Sequence, residues 1–362
     1  MKHLFVIKSP SAGGAETYLL RFLTFCSDSD NEVLCKGSVI GDLADPYKRV
    51  TTLNSVGSLG LLNPVPYYKL YKFIKKEGIR SICDFSGNFS GWVLFVAKLA
   101  GVQTRLAFYR ESRNQFTPSF FRTCYAKLIK YVMYHNATKI LSNSEAALNY
   151  FHPNWRLRKD FYNVIYNGID LTTISKKSKN DARDMLNLPR EAFVFCHSGR
   201  YVAAKNHDMI INCAIKLCQK YSDIHFVLIG KGVDDKYRDH IEDCGLSNNI
   251  HLLGYRNDVM DLLQCADCYY FPSLNEGQPN ALIEAMVSGL PFIGSDIAPI
   301  REATPDTLHS FLVNPTDELA NYSMLERVYK DQLFRENLKC TDWAKRNFEA
   351  NLLFNKLKSE LI

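Results

Sequence analysis

The feature that most constrains this chain is an end-to-end alternation of short apolar runs with longer stretches of helical periodicity. Runs rich in Val, Ile, Leu and Phe read as strands buried on both faces. The helical stretches between them read as the crossovers that parallel strands require. In the first half the runs are His3–Lys8, Glu32–Cys35, Ser81–Asp84, Arg105–Phe108, Lys139–Ser142 and Asn163–Tyr166. In the second half they are Phe193–Ser198, His225–Ile229, Ile250–Leu253, Cys268–Phe271 and Pro291–Gly294. The polar stretch Asp170–Asp181 separates the two series. At 362 residues the chain is too long for one ordinary core. The expectation is an α/β protein with two doubly wound parallel-sheet domains, residues 1–172 and 173–345. Such sheets bind ligands beyond the carboxyl ends of their strands, so two of them face to face would form a cleft. One amphipathic helix is expected from Thr341 to Leu361, with Trp343, Phe348, Leu352, Leu353, Phe354, Leu357 and Leu361 at helical spacing.

The apolar start, His3 to Ile7, is too short for a signal peptide or a membrane span, and Lys98 breaks the longest apolar stretch, Trp92 to Ala100. The expected location is cytoplasmic, soluble or peripheral. Eleven cysteines are scattered and odd in number, with Cys83, Cys196 and Cys213 inside apolar runs, so buried thiols are expected. Cys265-Ala266-Asp267-Cys268 closes a helix and enters a strand, the reverse of a redox motif. The net charge of +6 is uneven: residues 1–170 hold 22 Lys and Arg against 12 Asp and Glu, or +10, leaving −4 for the remainder. A basic first half suggests an anionic partner.

The segment Glu276-Gly277-Gln278-Pro279-Asn280-Ala281 leads into Leu282, Ile283 and Glu284 and ends at Gly289. A strand ends near Phe271, and a helix is expected to begin near Pro279, since proline suits the first helical turn. Glu276 then lies in the loop and Glu284 on the second turn. Backbone N–H groups from Gly277 to Ala281 would form a phosphate seat at the helix start. Ala281, Leu282, Ala285 and Met286 are expected on the buried face. Glu284 points away from it, either as a solvated surface carboxylate or as an acceptor for ribose hydroxyls. Glu276 would accept from hydroxyls of a second sugar. The second anchor is Gly199-Arg200 with Lys205, at a strand-to-helix junction where two cations could neutralise a diphosphate. The third is the turn Gly13-Gly14-Ala15-Glu16 after the first strand. It is neither G-x-G-x-x-G nor a P-loop, so nicotinamide, flavin and P-loop nucleotide sites are unsupported.

Together these anchors resemble the GT-B glycosyltransferases, specifically the large retaining family 4 (glycosyl transferases group 1) of bacterial polysaccharide and O-antigen synthesis. The resemblance covers nearly the whole chain. Gly13, Gly14 and Glu16 resemble the family's amino-terminal glycine loop; Ser142-Asn143-Ser144-Glu145 and Val164 to Asp170 resemble its approach to the linker. Gly199, Arg200 and Lys205 resemble its diphosphate-binding set, and Glu276 to Glu284 its E-x7-E motif. The resemblance implies two Rossmann-like domains, with acceptor bound by the first, nucleotide-sugar by the second, and the last helix (346–362) crossing back to the first. It implies that Arg200 and Lys205 stabilise the departing phosphate, that Glu276 positions the donor sugar and that Glu284 holds the ribose. The donor set would comprise Gly13, Gly14, Gly199, Gly277, Gln278, Pro279, Asn280, Ala281 and Glu284. It further implies a UDP-sugar donor, with GDP as the other candidate, a hexosyl or N-acetylhexosaminyl transfer, and no cofactor or metal. The lone Asp-x-Asp, Asp28-Ser29-Asp30, reads as surface. Many relatives carry a histidine after the strand Arg105–Phe108; this chain has none between His3 and His135, and Phe108 or Arg110 takes its place. Arg110 could meet an acceptor phosphate.

Two segments mix aromatics with cations, Phe116–Tyr131 and Pro66–Lys76. They suit peripheral contact with an anionic inner leaflet, where a lipid-diphosphate-linked saccharide acceptor would be found; the alternative is two surface helices with aromatic undersides. Nucleic-acid binding would explain the basic half but not the second. Other readings are a non-catalytic GT-B scaffold subunit, which should lack one of Arg200, Lys205, Glu276 or Glu284, and a sugar-nucleotide epimerase, which should carry a different carboxylate pattern.

Overall fold

The computed structural model describes residues 2–11, 13–27, 30–60, 63–110 and 120–362, with the side chains of Phe120 and Phe121 excepted. It divides into two compact units, Met1–Gly168 with Asn351–Ile362, and Ile169–Ala350.

The first unit holds seven strands: β1 (His3–Ile7), β2 (Asn31–Cys35), β3 (Thr52–Ser55), β4 (Ser81–Asp84), β5 (Thr104–Tyr109), β6 (Lys139–Ser142) and β7 (Tyr162–Val164). They are ordered β3-β2-β1-β4-β5-β6-β7, and every pairing is parallel. His3 sits opposite both Asn31 and Ser81, so the order reverses on either side of β1, where such sheets place their ligands. β3 is absent from the expectation because it is a sheet edge. Its residues Thr52, Leu53, Asn54 and Ser55 are exposed or half-buried, so they leave no apolar run.

The second unit holds β8 (Phe193–Ser198), β9 (Ile224–Ile229), β10 (Ile250–Leu252), β11 (Cys268–Phe271) and β12 (Phe292–Gly294), ordered β10-β9-β8-β11-β12 and all parallel. The central strands β8, β9 and β11 are buried at every residue, which is why they read as apolar runs, interrupted only by His197, Ser198 and His225. An ion pair of the buried Arg183 with the half-buried Asp267 locks the helix Lys179–Asp184 to this sheet. Arg183 donates to Asp267 Oδ2 at 2.8 Å and to the Cys265 carbonyl at 3.1 Å. The same Asp267 oxygen accepts the Val194 backbone N–H at 2.8 Å, and Lys179 pairs with the other oxygen.

The expected single helix from Thr341 to Leu361 is instead two, Thr341–Phe348 and Ala350–Glu360. Glu349 between them is extended, with φ −64° and ψ 126°. There the chain pairs with Ile169: the Ile169 N–H donates to the Phe348 carbonyl at 2.7 Å, and the Ala350 N–H to the Ile169 carbonyl at 3.0 Å. Helical periodicity on both sides of one extended residue hides the break. From Asn351 on, the segment belongs to the first unit. Phe354 packs edge-on against Tyr18 and Phe22 at 5.5 and 5.7 Å, and Glu360 pairs with Lys139 at 2.6 Å.

All eleven cysteines are free thiols, eight of them buried. Burial pushes Cys265 up to about 12 and raises Cys268 further, so neither is a ready thiolate. Among the described residues no group of three or more His, Cys, Asp or Glu could hold a metal ion, and no helix is long and apolar enough to cross a membrane. Asp28 and Ser29 lie outside the described residues.

Candidate functional site

In the second unit the candidate residues gather beyond the carboxyl ends of β8 and β11, which are neighbours in the sheet. The loop after β8 carries Gly199, Arg200 and Lys205; the loop after β11 carries Glu276 to Pro279 and opens the helix Asn280–Val287. The two loops are tied together. The Leu274 N–H donates to the Ala204 carbonyl at 2.8 Å. Asn206 donates from Nδ2 to the carbonyls of Pro272 at 3.0 Å and Pro315 at 2.8 Å. Asn206 has φ +56°, a left-handed conformation that Asn tolerates better than most residues, just before the helix His207–Lys220.

Across this junction Lys205 Nζ lies 2.8 Å from Glu276 Oε1. Lys205 also sits over the Phe271 ring at 4.7 Å, and Glu276 is buried. The ammonium is therefore held on two sides, by a carboxylate and an aromatic face, in a partly desolvated place where charge acts strongly. Arg200 is exposed and makes no ion pair among the described residues. Close packing requires glycine at Gly230 and crowds Gly199. A Cβ on Gly199 would stand 3.3 Å from Lys205 Cγ and Cδ, and one on Gly230 would stand 1.9 Å from the Gly199 carbonyl oxygen. Gly230 escaped the sequence reading, although Ile229-Gly230-Lys231-Gly232 at a strand end was a signal.

Beneath the loop, the His197 Nδ1–H donates to the Tyr270 carbonyl oxygen at 2.9 Å, since a carbonyl can only accept. His207 bonds the Gly199 carbonyl at 3.2 Å in the same way. Burial pulls His207 down to about 4 and His197 further, so both are neutral supports of the loop. Neither was singled out from sequence.

The helix begins at Asn280 with Pro279 as its cap, and Glu284 is half-buried on its second turn. Two expectations change. Ala281 is half-buried and shares the stripe of Asn280 and Glu284, while Ile283 and Val287 join Leu282, Ala285 and Met286 inside. The Asn280 N–H, expected to help seat a phosphate, donates to the Gln278 carbonyl at 2.9 Å. Gln278 and Pro279 are buried and Gly277 is half-buried. The buried Tyr269 hydroxyl bonds Ser198 Oγ at 2.8 Å; burial, with the Glu284 charge a lesser cause, holds that phenol protonated.

Gly13 and Gly14 belong to the first unit. Gly13 caps the helix Gly14–Phe25, with the Glu16 carboxylate folded back so that a Cβ on Gly13 would meet its Oε2 at 2.5 Å. Gly14 is exposed, with open space where a Cβ would stand. Of the two residues at the missing histidine's place, Phe108 is core, with its ring 5.1 Å from Phe85, and Arg110 follows β5 with its guanidinium 3.9 Å from the Tyr18 ring. Glu111 to Arg113 lie outside the described residues.

The model of a family described as glycosyl transferases group 1 matches residues 178–345. The chain is similar to the Escherichia coli UDP-Gal:alpha-D-GlcNAc-diphosphoundecaprenol alpha-1,3-galactosyltransferase, 29% identical over 282 residues, 73% of this chain and 70% of that protein. It is 25% identical over 275 residues to a Campylobacter jejuni N-acetylgalactosamine-N,N'-diacetylbacillosaminyl-diphospho-undecaprenol 4-alpha-N-acetylgalactosaminyltransferase, 75% of this chain and 72% of that one. Among solved structures, HepE of Anabaena in complex with UDP superposes with a TM-score of 0.80 at 21% identity, over 100% of this chain and 99% of that one.

Proposed function

The chain belongs to the glycosyl transferases group 1 and has the GT-B fold, and on that premise we propose a retaining enzyme that moves a hexosyl or N-acetylhexosaminyl group from a UDP-sugar to a lipid-linked saccharide in bacterial surface polysaccharide synthesis. The observation that carries the reading is the Lys205–Glu276 pair at 2.8 Å, at the carboxyl ends of β8 and β11 beside the exposed Arg200. In this reading Arg200 and Lys205 neutralise the donor diphosphate, Glu276 orients the transferred sugar and Glu284 accepts from the ribose hydroxyls. The sugar C1–O bond to phosphate breaks while the acceptor hydroxyl adds on the same face, and its proton passes to the departing phosphate oxygen. Two cations, Lys205 held by Glu276 and the exposed Arg200, would supply the charge that phosphate departure needs, so this reading assigns no metal. A UDP donor is supported by the names of relatives, one using UDP-Gal and one crystallised with UDP.

A thermal-shift panel of UDP, GDP, ADP and their sugars, in EDTA, tests this. UDP or a UDP-sugar at about 100 times its dissociation constant should stabilise the chain by about 2.7 kcal/mol. No shift with any of them would sink the transferase reading.

We also propose peripheral contact with an anionic membrane. The helix Val65–Glu77 exposes Val65, Tyr68, Lys69, Lys72, Lys75 and Lys76. The helix Phe120–Asn136 exposes Arg122, Lys127, Leu128 and Tyr131, and the helix Gly91–Leu99 packs between the two with Leu99 outward. Lys130 is not part of this face: it is half-buried and donates to the Phe151 carbonyl. Replacing Lys69, Lys72 and Lys127 with Gln should lower partition onto phosphatidylserine vesicles about 100-fold, at about 1 kcal/mol per cation. Unchanged vesicle binding would refute the contact.

A further inference from the structure

One charged group near the carboxyl end of the first sheet is left without a counterpart. Arg110 follows β5 directly, and its Nε and Nη1 atoms are sealed from solvent with no hydrogen-bond partner among the described residues. Its guanidinium lies 3.9 Å from the Tyr18 ring centre, 5.1 Å from Phe108 and 6.0 Å from Phe85. An aromatic face attracts a cation but accepts no N–H bond in its plane, so stacking replaces only part of the lost hydration. The nearby buried carboxylate, Asp84, is already paired with Lys36 at 2.7 Å. Glu16 acts on Arg110 through space, but no ion pair joins them among the described residues. Burial lowers Arg110 only to about 10, so it stays charged at neutral pH. The Tyr18 hydroxyl, on the first helix, is buried and likewise unpartnered.

Stacking on one face with unmet donors in the plane is how a guanidinium is prepared for an oxyanion. We propose that Arg110 and the Tyr18 hydroxyl bind an oxyanion of the substrate, either a phosphate or the carboxylate of an acidic sugar. Only the assignment of that anion to a substrate rests on the transferase reading.

The test is NMR of the full chain labelled with 15N-arginine. The Arg110 Nε–Hε signal is identified by its absence from R110K, or from R110Q if R110K does not fold. Inorganic phosphate and sodium glucuronate are titrated separately against matched sodium chloride, in a Lys205→Ala background that weakens the other candidate phosphate seat. A saturable shift is expected, with half-saturation on the order of millimolar. Tyr18→Phe should weaken it roughly two- to tenfold. Saturation by phosphate alone identifies a phosphate site, and saturation by glucuronate a carboxylate site. No shift with either beyond that of chloride overturns the proposal. An unchanged half-saturation in Tyr18→Phe overturns the part of Tyr18. The measurement uses no donor and reads no transfer, so failure of the transferase reading would leave its result standing.

Discussion

Lys205→Ala is expected to lower sugar transfer by about 10²- to 10³-fold, the usual cost of removing one preorganised charge aimed at a developing negative charge. Nucleotide binding should weaken with it. Lys205 is held by Glu276 at 2.8 Å and by the Phe271 ring, so in the proposed mechanism its ammonium would need no reorganisation when phosphate departs. The substitution also leaves the buried Glu276 without its cation, which lowers stability by itself. A Lys205→Met, Glu276→Gln double variant separates the two effects. It removes both charges together and should recover the melting temperature without recovering the rate. Glu276→Ala alone should lower turnover and keep the fold. Initial rates with whichever donor the thermal-shift panel selects decide the matter: wild-type transfer by Lys205→Ala would remove it from the mechanism.

The largest effect on stability is expected at Asp267. Asp267→Ala strips the partner from Arg183, which is 3% exposed, and frees the Val194 N–H. Breaking a buried pair from one side costs about 3–5 kcal/mol, because the remaining charge stays in a place that water does not reach. For a unit of this size that corresponds to about 6–20 °C in the melting temperature, followed by circular dichroism. Arg183→Met with Asp267→Leu should recover part of the loss, since no buried ion is then left unpaired; Lys179 is exposed enough to be solvated, and the Val194 N–H still loses its acceptor. A single variant melting within about 2 °C of wild type would show that the pair contributes little.

Strands buried on both faces are predominantly apolar, so the parallel sheets were legible in the order of residues, and only the half-exposed edge β3 was not. The glycines, cations and carboxylates of the loops after β8 and β11 were legible as well. Their types and spacing mark a strand-to-helix junction whatever surrounds it. Partner choice was decided by the tertiary structure. Lys205 meets Glu276 across 71 positions, Arg183 meets Asp267 across 84, and Ile169 pairs with the extended Glu349 and so splits one expected helix into two. Nothing local distinguishes a lysine that finds a carboxylate from an arginine, such as Arg110, that stacks on Tyr18 with donors unmet. The physical reason is that backbone periodicity is a short-range property written in neighbouring residues. The charge balance of a buried group depends on which distant atoms the packed sheet brings within a few ångströms.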